Sequence, residues 1–444
     1  MQIRHVVTCF LRHPEQRTVL LGLRSDDVRT YPGHYAGISG SIEDESPLER
    51  AVIEIGEETG LDEEQISLRG EGWPIRFPAW ELDTVWVVHP FLFDCLDPAS
   101  VRRDWEHVKF DWVPPENIPH LDTVPKLHEA WESSLDAAAA GGTLSSDRIF
   151  SMVKEDREHG ASELGIWTLR GLMAASDEVL CSESADPTSA LREACRRAAG
   201  LRPSMATTLT AVLEAWSGLR GIETADDAAR REASEHLKRL AERRGDASVR
   251  AGTSAADQIA AGQRVVTISS SFTVLLALKE AADKIKHITM AESRPAFEGR
   301  RAAEAAASFG IDTELVTDAA ACSALTSEAD LVLFGADSLL ADGSVVNKVG
   351  TLALCASALL LDRSTLAVAT LDKLLPAGLE PEMEEMDPEG LGADIDQVRV
   401  RNPYFECVPA RAVDHICCES GIVDAAALRN EAKKRRELAR ELLR

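Results

Sequence analysis

The spacing of apolar residues changes rhythm twice along the chain. Over the first 135 residues, β-branched and aromatic runs at His5–Leu11, Arg17–Arg24, Asp83–Phe93 and Lys109–Val113 predict strands of an antiparallel or mixed sheet. From 147 to about 250 the pattern is helical, rich in Ala, Leu, Glu and Arg. From about 262, short apolar strands at Arg264–Ile268, His287–Met290, Asp312–Thr317, Leu331–Gly335 and Thr365–Thr370 alternate with helix-like segments such as Val274–Lys286 and Phe297–Ser308. That alternation predicts a doubly wound parallel sheet, whose ligands bind beyond the carboxyl ends of the strands. The small-residue stretch Asp136–Ser146, with Gly141 and Gly142, marks the clearest boundary. The expected organisation is an α/β domain over 1–135, a linker at 136–146, a helical subdomain over 147–250 and a doubly wound domain over 251–444.

Composition narrows the classes of function. Of 444 residues, 45% are apolar, which is ample for packed cores and excludes disorder as the main state. The 48 basic and 74 acidic residues leave a formal charge of −26. That field repels polyanions and argues against duplex DNA as the main partner. Only 11 of the basic residues are lysine, against 37 arginine. An acidic, lysine-poor, alanine-rich chain suits a cytoplasm of high ionic strength, as in an extreme halophile, where salt screens the repulsion between carboxylates. The nine cysteines form no CxxC pair, so neither a disulfide framework nor a zinc site is expected, and Cys417-Cys418 reads as a small buried apolar pair. The longest mostly apolar run, Val349–Leu361, is too short to span a bilayer, and no signal-peptide pattern follows Val6–Leu11. A soluble, cytoplasmic protein with no membrane partner is expected. Near the end, Lys433-Lys434-Arg435-Arg436 is interleaved with Glu431, Glu437 and Glu441 and reads as a solvated helix face.

Candidate chemistry begins at one helix. Ser46-Pro47-Leu48-Glu49 is a capping box with proline in the first turn, and Thr59-Gly60 supplies a left-handed stop. Between them Glu54, Glu57 and Glu58 stand at i, i+3 and i+4 and share a face, while Val52 and Ile55 point toward a core. Clustered carboxylates repel one another, and an oxygen-rich cluster is what Mg²⁺ or Mn²⁺ requires. The stretch Gly40–Leu61, GSIEDESPLERAVIEIGEETGL, resembles the Nudix box, G-x5-E-x7-R-E-U-x-E-E-x-G-U with U aliphatic. Glu45, Glu54, Ile55, Glu57, Glu58, Gly60 and Leu61 match in register. Ser39 stands where the first glycine would be, and Ile53 replaces the arginine that helps orient the family's glutamates. The resemblance runs from residue 1 to about 135 and includes Phe110-Asp111-Trp112-Val113. It implies a Nudix α/β/α sandwich with a mixed sheet. In that family Glu54, Glu57 and Glu58 would bind Mg²⁺ or Mn²⁺ at the pyrophosphate of a nucleoside diphosphate derivative, with Glu57 as a catalytic carboxylate.

In the second half, polar residues follow three strand ends. Ser269-Ser270-Ser271 precedes a helix and offers hydroxyls and backbone N–H groups to a phosphate. Asp337 follows the strand Leu331–Gly335, and Asn347-Lys348-Val349-Gly350-Thr351 leads into an apolar helix. The segment Gly335–Thr351, GADSLLADGSVVNKVGT, resembles the signature of the initiation factor 2B α/β/δ family, which includes ribose-1,5-bisphosphate and methylthioribose-1-phosphate isomerases. Glu292-Ser293-Arg294-Pro295 with Glu298-Gly299, and Arg401-Asn402-Pro403-Tyr404-Phe405 with Pro409, agree with it, over about 147 to 430. The family's isomerases use a cysteine at the end of the first sheet strand and the aspartate of the GAD motif. Asp337 matches that aspartate, whereas Ser269 falls at the cysteine, and a serine is far less acidic than a thiol.

These resemblances imply a metal-dependent hydrolase fused to a factor 2B-like, Rossmann-like unit that binds a nucleotide or sugar phosphate and supplies a homo-oligomer interface. Its expected catalytic residues are Glu57 and Asp337. Ser269, Ser270, Ser271, Arg294, Asn347 and Lys348 are the expected substrate-binding residues. Two alternatives are an aldose–ketose isomerase with Ser269 in place of the cysteine, and a non-catalytic regulator partnered with a translation factor.

Overall fold

Burial from both sides makes the first strand the axis of the N-terminal unit. In the computed structural model, which describes residues 1–156, 159–182, 186–327, 329–392 and 397–444, β1 (Gln2–Arg12) packs Val7, Cys9 and Leu11 into one core and Phe10 into another. The unit spans Met1–Ser145. It continues through β2 (Val19–Arg24), β3 (Tyr35–Ala36), β4 (Ile38–Ser41), α1 (Pro47–Thr59), β5 (Ile66–Glu71), β6 (Ile75–Ala79), β7 (Thr84–Cys95), β8 (His107–Val113) and α2 (Leu127–Ala139). The strands form one mixed sheet, with order β3-β2-β1-β7-β5 and with β4, β6 and β8 pairing β1, β7 and β2. β1 and β7 run parallel from Gln2↔Thr84 to Arg12↔Asp94, and the other pairs are antiparallel. Alternation along β7 sends Phe91 and Phe93 toward α1, where they meet Ala51 and Ile55. Leu92 goes the other way, with Phe10, Leu127, Ala130 and Trp131. Helix, sheet and helix thus form a three-layer sandwich.

The second unit, Ser146–Arg444, opens with α3 (Ser146–Glu155), α4 (Ala161–Cys181), α5 (Pro187–Ala199), α6 (Ala206–Leu219) and α7 (Asp227–Ala256). These helices close around Trp216, which is fully buried. The doubly wound part follows as β9 (Gln263–Thr267), α8 (Phe272–Glu280), β10 (Ile285–Ala291), α9 (Glu298–Ser308), β11 (Thr313–Val316), α10 (Asp318–Ser327), β12 (Leu331–Gly335), β13 (Ser338–Leu339), β14 (Val345–Lys348) and α11 (Thr351–Leu360). It ends with β15 (Ser364–Val368), β16 (Phe405–Val408), β17 (His415–Cys418), β18 (Gly421–Ile422) and α12 (Ala425–Leu443). The main sheet has order β11-β10-β9-β12-β15-β17-β18 and is parallel except for its last pair. The chain reverses direction across the sheet between β9 and β12, which is where such folds place ligands. A small antiparallel sheet, β13-β14-β16, stands apart from the main one.

Three expectations are corrected. The linker expected from Asp136 begins later, because the alanines at 137–139 extend α2. The helix expected at Val274–Lys286 stops at Glu280, and β10 starts at Ile285. The basic run near the end is only partly solvated. Lys433, Lys434 and Arg436 are exposed, but Arg435 is buried and donates to the carbonyls of Leu371 (3.0 Å) and Leu374 (2.7 Å). Among the described residues no helix is long and apolar enough to cross a membrane.

Candidate functional sites

Helix α1 is built as its caps dictate. The Ser46 side chain accepts the amide of Glu49 while the Glu49 side chain takes that of Ser46, and Gly60 ends the helix at φ 72°. Ile55 is fully buried, with Val52 packed at the edge of the same core. The three glutamates divide: Glu54 and Glu58 are 6% and 4% exposed, whereas Glu57 faces solvent. Arg50, one turn earlier, donates to Glu54 Oε1 through Nε (2.7 Å) and through Nη2, which also lies 3.3 Å from Glu57 Oε2. Glu58 Oε1 accepts the Ser39 amide at 3.1 Å. Its Oε2 has no hydrogen-bond partner among the described residues and lies 3.7 Å from Nε2 of buried His107, whose Nδ1 sits 2.9 Å from Asp104 Oδ1.

Burial raises the pKa of Glu58 well above the usual carboxylate range; the Ser39 amide opposes this and Glu54 adds to it. Burial also raises that of Glu54, against the pull of Arg50. Gly40 packs directly against Glu54: a Cβ there would lie 1.3 Å from Glu54 Oε1, so the carboxylate would have to move from its place. The cleft beside these groups holds about 340 Å³ and is lined by Arg50, Glu54, Glu57 and Glu106 together with Tyr31, Phe77 and Trp86.

An all-oxygen donor set, a buried carboxylate oxygen without a partner and the Gly40 cradle suit a hard divalent cation. Among the described residues no three His, Cys, Asp or Glu side chains converge as a metal cluster. The fit is therefore to donor chemistry and to a gathered carboxylate pair, not to a preformed cage. Arg50, Glu106, His107 and Asp104 were not among the sequence candidates. Only Arg50 had a local signal, four residues before Glu54 and seven before Glu57.

At the switch point of the second unit, Ser269 follows β9 with φ 73°. Its amide donates to Ser293 Oγ (2.7 Å) and its hydroxyl to Glu298 Oε1 (3.1 Å). Lys348, 2% exposed, pairs with the same Glu298 oxygen and sits 3.3 Å from the centre of the Tyr404 ring. Burial lowers the Lys348 pKa and Glu298 opposes the shift. Part-buried Asp337 donates its amide to the Val346 carbonyl, and loss of solvent raises its carboxyl pKa against the pull of Lys373 and Lys348. Asn347 is turned inward, donating to Thr351 Oγ1 at 3.0 Å. Ser271 caps α8 in position but its hydroxyl meets that of Thr273, and Ser270 is exposed. Arg294 is exposed and stacks on Phe297, 4.8 Å from the ring centre. Ser269, Lys348 and Asp337 are thus linked through Glu298 or its field, while Ser270 and Arg294 lie at the surface. Glu298 and Tyr404, which join them, lay in the matched sequence blocks but had no assigned role.

A doubly wound α/β unit with polar strand ends at its switch point, preceded by a mixed-sheet sandwich carrying a glutamate helix, defines the class. The Initiation factor 2 subunit family matches residues 157–425, and the chain belongs to that family. A NUDIX domain matches residues 2–134. The chain is 32% identical over 183 residues to ribose 1,5-bisphosphate isomerase of Methanocaldococcus jannaschii, covering 39% of this chain and 58% of that protein. It spans only a little over half the length of that relative and of the corresponding isomerase of Haloferax volcanii, of which 55% is covered. A putative translation initiation factor eIF-2B subunit 2-like protein of Pyrococcus horikoshii is 28% identical, over 62% of this chain and 95% of that one. The crystal structure of the Pyrococcus horikoshii OT3 translation initiation factor eIF-2B superposes with TM-score 0.53 at 25% identity, covering 63% of this chain and 96% of that one.

Proposed function

We propose that the N-terminal unit is a metal-dependent hydrolase of a nucleoside diphosphate derivative and that the second unit binds a nucleotide or sugar phosphate. The observation that carries the first part is the pair of buried glutamates, Glu54 and Glu58, beside solvent-facing Glu57 at a cleft with an aromatic wall. Glu54, Glu57 and Glu58 would hold Mg²⁺ or Mn²⁺, which when bound neutralises phosphate charge and favours attack by water. Tyr31, Phe77 and Trp86 offer apolar area to the organic part of the substrate. Glu57, the most exposed of the three, is the carboxylate best placed to meet solvent and substrate. In the second unit Ser269, Lys348, Asn347 and Asp337 would form the floor of the ligand site, with Ser270, Ser271 and Arg294 at its rim.

The test is turnover of nucleoside diphosphate derivatives with Mg²⁺ or Mn²⁺ at molar salt, a medium that suits the −26 charge. Metal-dependent release of a nucleoside monophosphate or phosphate, lost in Glu57→Gln, is expected; equal turnover in the variant sinks the reading.

A second reading, aldose–ketose isomerisation, draws on the isomerase relatives and on Asp337 at the switch point. It is opposed by Ser269, whose hydroxyl is engaged by Glu298. Conversion of ribose 1,5-bisphosphate to the ketose, lost in Asp337→Asn, would establish it. The regulator reading draws on the eIF-2B relative and predicts binding to a translation factor with no turnover in either assay.

We further place the protein in the cytoplasm as a homo-oligomer. The support for assembly is α11, where Leu359 and Leu360 are 54% and 84% exposed on a helix that carries no charge.

A further inference from the structure

Ile53 stands where the box resemblance places an arginine, and it is 42% exposed with no polar group to offer. The helix nevertheless contains a guanidinium aimed at its glutamates. Arg50 lies one turn toward the N-terminus and touches three acidic side chains at once. Its Nε and Nη2 meet Glu54 Oε1, its Nη2 lies 3.3 Å from Glu57 Oε2, and its Nε lies 3.6 Å from Glu45 Oε1. Two of the three, Glu54 and Glu57, are among the glutamates that would hold a cation, while Glu45 precedes the helix and Glu58 is held separately by the Ser39 amide.

The geometry follows from helical spacing. Residues at i+4 and i+7 from Arg50 lie on its own face, so a long side chain there spans both Glu54 and Glu57. A residue at 53 reaches Glu57 by the same i, i+4 step but not Glu54, its direct neighbour. Each contact of Arg50 uses a single oxygen of each carboxylate. Nη2 alone reaches both Glu54 and Glu57 while Nε adds a second donor to Glu54 Oε1, an arrangement that a lysine, with a single nitrogen, reproduces only in part. Arg50 is 22% exposed, at the edge of the cleft, and lines it with Glu54 and Glu57.

We infer that Arg50 is the positioning residue of the carboxylate site, a guanidinium moved one helical turn from position 53 to position 50. This rests on the metal-dependent reading above, and it turns the departure at Ile53 from a lost function into a relocated one. A merely structural i, i+4 pair on a helix surface has no bearing on a cation.

The test is Mn²⁺ affinity of the full chain, followed by the electron paramagnetic resonance signal of free Mn²⁺, with thermal unfolding recorded alongside. Arg50→Met keeps the aliphatic stem and is expected to weaken Mn²⁺ binding about 10–100-fold, as loss of a group that orients metal ligands does. Arg50→Lys is expected to fall between that variant and wild type. The double variant Arg50→Met with Ile53→Arg is expected to recover part of the affinity, because Arg at 53 reaches Glu57. Unchanged or tighter Mn²⁺ binding in Arg50→Met, with wild-type binding intact, overturns the inference. Absence of Mn²⁺ binding in wild type would instead overturn the metal-dependent reading itself.

Discussion

Both units gather carboxylates where a ligand would sit, and they treat the charge in opposite ways. In the N-terminal unit Glu54 and Glu57 share Arg50 at a cleft that Glu106 and Arg24 also line, and Glu58 is buried behind them. The acidic charge is in excess, and Glu58 keeps a buried oxygen with no hydrogen-bond partner among the described residues. In the second unit Glu298 Oε1 is paired with Lys348, although Oε2 likewise has no hydrogen-bond partner among the described residues, and Asp337 lies in the field of Lys348 and Lys373. An excess of buried negative charge is relieved by a cation. A matched pair needs no ion and is disturbed by losing either partner. The first site therefore waits for charge, and the second for a ligand that exchanges one internal contact for another.

The largest effect should come from unmatching the second site. Lys348→Met leaves Glu298 buried without its partner and should cost about 3–5 kcal/mol, read by chemical denaturation of the second unit. Adding Glu298→Gln should restore most of that loss. If the single variant is as stable as wild type, the pair is not the closed element described.

Gly40→Ala addresses the first site by steric means. A methyl group at 40 would displace the Glu54 carboxylate, and turnover should fall roughly 10–100-fold with the fold intact by circular dichroism. Unchanged activity would show that the position of Glu54 does not matter.

The pH response sharpens the same contrast. Burial raises the folded-state pKa of Glu54 and Glu58 above the usual 4.5. Their contribution to stability is thus full below that value and is lost as pH rises through the raised folded values. Without metal, the N-terminal unit should lose thermal stability as pH rises above about 4.5, and Glu58→Gln should flatten the decline. A decline of equal size in the variant would contradict the assignment. The smallest effect is expected from Leu360→Glu, within about 0.5 kcal/mol in stability because the side chain is exposed. The same variant should lower the assembled mass measured by light scattering; an unchanged mass would remove α11 from the interface.

The parts of the molecule legible in sequence are those written in local spacing. The capping box at Ser46 and the stop at Gly60 delimit α1, and the i, i+3, i+4 spacing puts three glutamates on one face. The strand–helix alternation after 262 announces the parallel sheet. Local spacing does not say which of those glutamates is buried, because that depends on the Ser39 amide and on His107, which arrives from β8 some fifty residues later. Nor does it bring Glu298, Lys348 and Tyr404 together, since they come from α9, β14 and the approach to β16. Arg435 shows the same limit: its sequence neighbours are charged and solvated, but its own guanidinium is taken inward by two carbonyls.

The most direct measurement is a Mn²⁺ titration of the whole chain at molar salt, comparing wild type with Glu58→Gln and Lys348→Met. The account predicts saturable binding in wild type, strong weakening in Glu58→Gln and no change in Lys348→Met after correction for unfolded protein. Binding that survives Glu58→Gln, or that is lost only in Lys348→Met, would contradict it.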